Sequence, residues 1–206
     1  MIDAVIFDVD GTIWDSTEVV NSAWNKALEE CGHSERVTSE RLKGLFGLPM
    51  DDIIKDILPS ATADEREAAR PVIYGYEDSF LRETGGNVYD GIEKMLETLS
   101  GRFSLFIVSN CQQGYIELMY DKTGFAHFFK DKLCPGDTGV YKADNIKRLC
   151  EKHGLKNPLY VGDTSMDEEA CRSAGVRFCF ASYGFGKAVA PDYVINTPME
   201  LCDILE

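Results

Sequence analysis

The 206-residue sequence predicts an α/β fold in which a parallel sheet is covered by helices on both faces and interrupted by one all-helical insertion. Strand-sized apolar runs, Ala4-Val-Ile-Phe7, Leu105-Phe-Ile-Val108, Leu159-Tyr-Val161 and Val176–Phe180, alternate with segments of helical periodicity. Each run is almost continuously apolar, which a strand buried on both sides requires. From Asp15 to about Gly85 the alternation stops and only helical patterns occur. Residues 1–14 and 86–206 are therefore expected to form the core domain, and residues 15–85 a small inserted helical bundle.

Within the insertion, Val19, Val20, Ala23, Trp24, Ala27, Leu28 and Cys31 recur at three- and four-residue steps until Gly32 stops the helix. Thr38 can cap a short helix through Leu42, Leu45 and Phe46. Pro49 stands at a tolerated helix start ahead of Ile53, Ile54, Ile57 and Leu58. Thr62 and Glu65 form a capping box for a long helix carrying Ala69, Val72, Ile73, Tyr76 and Phe80, with a bend expected at Pro71. Back in the core, Asp90 and Glu93 are expected to cap a helix through Ile92, Met95, Leu96 and Leu99. Tyr193–Ile195 reads as a last, weaker strand.

With 44% hydrophobic and 27% charged residues the chain can bury a core, which excludes wholesale disorder. A net charge of −14 argues against nucleic acid or an anionic membrane as partner. No apolar run is long enough to span a bilayer, and no secretory signal is visible. The seven cysteines are scattered without a C-x-x-C pair, so a zinc ribbon is excluded and a reducing, cytoplasmic setting is expected. Cys111 follows a strand, yet no histidine is indicated to activate it. His33, His127 and His153 lack the mutual spacing of a metal site.

The chemistry concentrates where three predicted strands end. The first runs into Asp8-Val-Asp10-Gly11-Thr12, the second into Ser109-Asn110 and the third into Gly162-Asp163-Thr-Ser-Met-Asp167. Ligands of open parallel sheets bind beyond the carboxyl ends of the strands. If these strands are neighbours, Asp8, Asp10, Asp163, Ser109 and Thr12 share one pocket. Carboxylates so crowded raise each other's pKa unless a cation intervenes. A hard divalent ion, naturally Mg2+ beside a phosphate, resolves the conflict, with Lys142 as a second positive charge. A carboxylate is already ionised at neutral pH and can attack phosphorus unaided. A second carboxyl two residues on can then act as acid and base.

Asp8-Val-Asp-Gly-Thr-Ile-Trp-Asp-Ser16 resembles the first motif of the haloacid dehalogenase superfamily. Ser109, Lys142 and Gly162-Asp163-x-x-x-Asp167 resemble the second, third and fourth, and the likeness covers essentially the whole chain. The insertion is similar to the superfamily's C1 cap, and the core would be Rossmann-like with three layers. The resemblance implies Asp8 as nucleophile and Asp10 as acid/base. It also implies a Mg2+ ion held by Asp8, the backbone carbonyl of Asp10, and Asp163, with Asp167 bound through water or behind these ligands. Thr12, Ser109 and Asn110 would bind the phosphoryl group and Lys142 would neutralise developing charge. The family usually follows this lysine with proline, whereas Ala143-Asp144-Asn145 follow here, and Lys130, Lys132 and Lys147 are rivals for the role.

Asp10 points to phosphate esters, because the superfamily's dehalogenases and phosphonate hydrolases lack it. Phosphosugar mutases of the β-phosphoglucomutase type carry a histidine soon after the motif and an arginine in the cap. Neither occurs in Glu18-Val-Val-Asn21 or in Lys43–Pro49. The reading is thus a Mg2+-dependent phosphomonoester hydrolase of a small metabolite, monomeric or homodimeric. Gly44-x-x-Gly-x-Pro49 and the late Tyr183-Gly-Phe-Gly186 loop add a likeness to phosphoglycolate phosphatases. A phosphosugar mutase and a non-catalytic binding module on the same fold are the alternatives.

Overall fold

The computed structural model describes residues 1–206. From β1 (Ala4–Phe7) the chain passes through β2 (Trp14–Asp15) into four helices, α1 (Thr17–Glu30), α2 (Ser39–Lys43), α3 (Met50–Ile57) and α4 (Ala63–Thr84). It returns by β3 (Asn87–Val88) to α5 (Ile92–Ser100), β4 (Ser104–Val108), α6 (Tyr115–Thr123) and β5 (Phe129–Leu133). The remainder comprises α7 (Pro135–Thr138), α8 (Lys142–His153), β6 (Pro158–Gly162), α9 (Ser165–Ala174), β7 (Arg177–Ala181), β8 (Tyr193–Ile195) and α10 (Glu200–Ile204).

Six strands form one sheet in the order β5-β4-β1-β6-β7-β8, and every neighbouring pair is parallel. β1 lies at its middle, with Phe7 opposite Ile107 on β4 and Val161 on β6. The three polar-ended strands of the sequence are therefore adjacent. Alternation along the strands explains their continuous apolar character. Val5, Phe7, Leu105, Ile107, Leu159 and Val161 pack into one core, whereas Ala4, Ile6, Phe106, Val108 and Tyr160 pack into another with Ile146 and Leu149 of α8 and Cys171 of α9. Full burial of each large side chain contributes roughly 1.5–3 kcal/mol. The first core continues without a break into Trp24, Leu28, Leu42, Ile53, Ile57 and Ile73 of the four inserted helices.

Local signals account for most helix ends. Thr38 accepts a hydrogen bond from Arg41 N–H, and Thr62 and Glu65 form the reciprocal capping box at the start of α4. That helix stays helical through Pro71. Two features depart from the sequence reading. α5 begins at Gly91, whose φ of +88° turns the chain, and no side chain caps it, so Asp90 does not have the capping role. β5 was not foreseen because Phe-Lys-Asp-Lys-Leu is charged and only half-buried, as suits a sheet edge. The two-residue strands β2 and β3, too short for any periodicity, pair antiparallel across the expected boundaries of the insertion. No helix is long and apolar enough to cross a membrane.

Candidate active site

The chain leaves β1 at Asp8 and turns sharply at Gly11, where φ is +77°. A Cβ on Gly11 would stand 2.1 Å from Asp163 Oδ2, so this position admits no side chain. The loops after β1 and β6 are thus in direct contact. One carboxylate oxygen from each of Asp8, Asp163 and Asp167 lies within 4.8 Å of the other two, and all three residues are buried. Burial, opposed by Lys142 and reinforced by Asp167, pushes the Asp8 carboxyl up to about 6. Burial, then Asp167 and Asp8, pushes Asp163 well above the usual carboxylate range.

Lys142, the first residue of α8, is the cation that meets this cluster. Its Nζ is 2.6 Å from Asp167 Oδ1 and 3.1 Å from Asp8 Oδ1. Burial works against its charge, but Asp167 and Asp8 outweigh it and hold the ammonium protonated. The other Asp167 oxygen accepts from Thr164 N–H at 3.0 Å and Thr164 Oγ1 at 2.7 Å, completing the capping box of α9. Asp167 is therefore committed to protein donors on both oxygens. Asp163 differs: Oδ2 accepts from Phe185 N–H at 2.7 Å, while Oδ1 is buried with no partner. That orphaned oxygen beside the Asp8 carboxylate forms a hard, anionic donor set suited to a divalent cation.

The Asp10 carboxyl stands outside the cluster. Its Oδ1 accepts from Ser16 Oγ at 2.6 Å, Tyr115 OH at 2.7 Å and Trp14 Nε1 at 3.0 Å. Oδ2 takes no hydrogen bond from the protein, and Asp10 lines the cavity beside Asp8. Burial raises its pKa despite the three donors.

Ser109 and Asn110 follow β4 and line the same cavity. Asn110 also donates to Gly47 O at 2.8 Å, joining the core to the inserted helices. Thr12 is fully buried with an unpartnered hydroxyl and does not line the cavity. The rival lysines are engaged elsewhere, Lys130 with Ser104, Lys132 with Glu117 and Asp137, and Lys147 with Asp144. Without a proline after Lys142, Asn145 secures that loop, donating to Val140 O at 3.0 Å and accepting from Thr138 Oγ1 at 2.8 Å. Donation of its S–H to Cys134, together with burial, raises the Cys111 thiol well above its ordinary range, so it is no thiolate.

Sequence reasoning did not find Tyr115, Phe185 or Glu77. The Tyr183-Gly-Phe-Gly186 loop was the available signal for Phe185: it lies against Asp163, and a Cβ on Gly184 would come within 2.4 Å of Asp163 Cβ. Glu77 of α4 is buried, accepting from Trp24 Nε1 at 2.6 Å and Gln112 Nε2 at 2.7 Å. Burial pushes its carboxyl up to about 7 against the pull of those two donors. It lines the cavity, about 770 Å³ in volume, that the inserted helices complete over the strand ends.

Fold and site together define an α/β protein with an acid-rich pocket at the carboxyl edge of a parallel sheet, roofed by inserted helices. Residues 5–181 match the haloacid dehalogenase-like hydrolase family, and the chain belongs to it. A phosphoglycolate phosphatase of Vibrio cholerae is 29% identical, the match covering 97% of this chain and 96% of that one. A phosphoglycolate phosphatase of Aquifex aeolicus is 26% identical over 98% and 96% of the two chains. Among solved structures, a haloacid dehalogenase-like hydrolase from Streptococcus pneumoniae superposes with a TM-score of 0.89 at 23% identity, covering 100% of this chain and 99% of that one.

Proposed function

We propose that the protein is a Mg2+-dependent phosphomonoester hydrolase that passes the phosphoryl group through Asp8. The observation that carries this reading is a pair of carboxyl groups on one loop, both lining one cavity and held in different ways. Asp8 lies against the Lys142 ammonium, 3.1 Å away, while Asp10 is anchored through Oδ1 and free at Oδ2. An Asp8 oxygen attacks phosphorus as the bond to the alcohol oxygen breaks, and Asp10 gives that oxygen its proton. Asp10 then takes a proton from water, whose oxygen attacks the aspartyl-phosphate, releasing phosphate and restoring Asp8. The raised pKa of Asp10 suits a group that must carry a proton and give it up.

Asp8, Asp163 and the backbone carbonyl of Asp10 would hold the Mg2+ ion, with Asp167 behind them. When bound, the ion supplies positive charge to the phosphoryl oxygens. Ser109 and Asn110, which line the cavity, are assigned to the phosphoryl group, with Thr12 buried behind the turn at residues 8–11, and residues 15–85 to a cap that excludes water and selects the alcohol. No Lys, Arg or His lines the cavity to hold a second phosphate, which favours hydrolysis over a mutase. Seven free cysteines suit a reducing cytoplasm.

The test is phosphate release from p-nitrophenyl phosphate with Mg2+. Asp8→Asn is expected to reduce the rate by roughly three or more orders of magnitude while the circular dichroism spectrum is unchanged. A variant that hydrolyses as fast as the parent would remove Asp8 from the mechanism.

A further inference from the structure

Apart from Asp8 and Asp10, the cavity lining has an unusual charge balance. It includes Trp24, Met50 and Tyr74 and three acidic residues, Asp51, Glu77 and Asp78, with no basic side chain among the lining residues. Two of the acids are neutralised nearby: Asp51 by Arg70 at 2.6 Å and Asp78 by Arg82 at 2.8 Å. Glu77 has no such partner. Its two oxygens accept only from the uncharged Trp24 and Gln112 nitrogens, and each oxygen keeps a second acceptor position. Glu77 thus offers hydrogen-bond acceptance, with no cation beside it, to a ligand group that reaches it.

A phosphate ester whose second anionic group reached Glu77 would bring it beside a carboxyl group, with no basic side chain among the cavity-lining residues to pair with it. That group would lose water without gaining a direct cation partner from the lining, a combination costly in any partly buried site. A hydroxyl or an ammonium, by contrast, would find an acceptor already fixed by two donors.

We propose that Glu77 is a specificity-determining residue and that the substrate is a phosphomonoester of an alcohol carrying no second negative charge, a neutral polyol or an amino alcohol. This rests on the phosphatase reading above and narrows it, for it sets this chain apart from relatives named for phosphoglycolate.

The experiment compares kcat/KM for glycerol phosphate and ethanolamine phosphate with that for 2-phosphoglycolate and 3-phosphoglycerate, using p-nitrophenyl phosphate as the control for turnover. Both non-anionic alcohols are expected to exceed both carboxylate-bearing esters by about tenfold or more. Glu77→Gln, which keeps the shape of the side chain, is expected to narrow that ratio at least about threefold. A purely structural clamp between α1 and α4 would lower all four substrates together and leave the ratio where it was, overturning the role of Glu77. Equal or faster turnover of phosphoglycolate by the parent protein overturns the substrate class. Loss of turnover on every ester, the chromogenic control included, instead overturns the phosphatase reading and this narrowing with it.

Discussion

Lys142 Nζ and Asp167 Oδ1 approach to 2.6 Å beneath the nucleophile candidate, and the second Asp167 oxygen is clamped by the Thr164 backbone and hydroxyl. The lysine is thus positioned from the α9 side and presented to Asp8. Lys142→Met would leave Asp8 and Asp167 buried together without their cation. Breaking a buried pair from one side costs about 3–5 kcal/mol. Urea unfolding at pH 7 is expected to show a loss of that order, together with loss of phosphate release. An unchanged midpoint would mean that water or a bound ion already compensates for the lysine.

Gly11 is the second critical point. Any Cβ there meets Asp163 Oδ2 at 2.1 Å, and the φ of +77° strains an L-residue independently. Gly11→Ala is expected to lower the thermal midpoint by several degrees and to abolish turnover, because Asp163 must move. Gly32, just past the end of α1, provides the control: its φ is +78° and a Cβ meets nothing within 4 Å. Gly32→Ala should cost only the backbone strain, about 1–2 kcal/mol, and leave turnover intact.

Crowding of Asp8, Asp163 and Asp167 makes a cation a stabilising ligand. Adding Mg2+ is expected to raise the melting temperature with the saturation expected for a ligand bound by the folded state alone. EDTA should reverse the shift and stop turnover. Asp163→Asn, which removes one carboxyl from the crowded cluster and weakens the donor set, is expected to raise the metal-free melting temperature while abolishing the response to Mg2+. A full response in the variant would place the ion elsewhere.

Glu77 should make stability depend on pH in the opposite direction from a salt-bridged carboxylate. Its carboxyl binds a proton more tightly when folded, near 7, than at its ordinary value of 4.5, mainly because of burial. Asp10 and Asp78 add repulsion, against the Trp24 and Gln112 hydrogen bonds. The contribution to folding is complete below the ordinary value and disappears as pH rises through 7. Between pH 5 and pH 8 the parent protein should therefore lose on the order of 2–3 kcal/mol relative to Glu77→Gln, measured by urea unfolding at both values. Parallel behaviour of the two proteins would refute the shift.

The sheet and the convergence of its polar ends were legible because strands buried on both faces announce themselves as unbroken apolar runs. Asp8 and Asp163, 155 positions apart in sequence, meet because β1 and β6 are neighbours, a condition that the sequence left open and the fold supplies. What escaped notice depends on shape rather than pattern. Tyr115 and Phe185 act through a hydroxyl and a backbone N–H that meet their partners only after folding, and β5 has the composition of a charged loop. Glu77 in the sequence is one more acid on a polar helix. Only the packing of α1 and Gln112 against it reveals a buried carboxyl in the wall of the cavity.

Trp14 belongs to two structures at once. Its backbone forms half of the β2–β3 ribbon, opposite Val88, through which both connections to the inserted helices pass. Its indole nitrogen holds the carboxyl of Asp10. Gly86 lies so close that a Cβ there would stand 2.7 Å from the indole, leaving the ring no slack. A displacement of the inserted helices about this ribbon would therefore move the indole and with it the hydrogen bond that orients Asp10, coupling the set of the roof to the aim of the carboxyl proposed as acid and base.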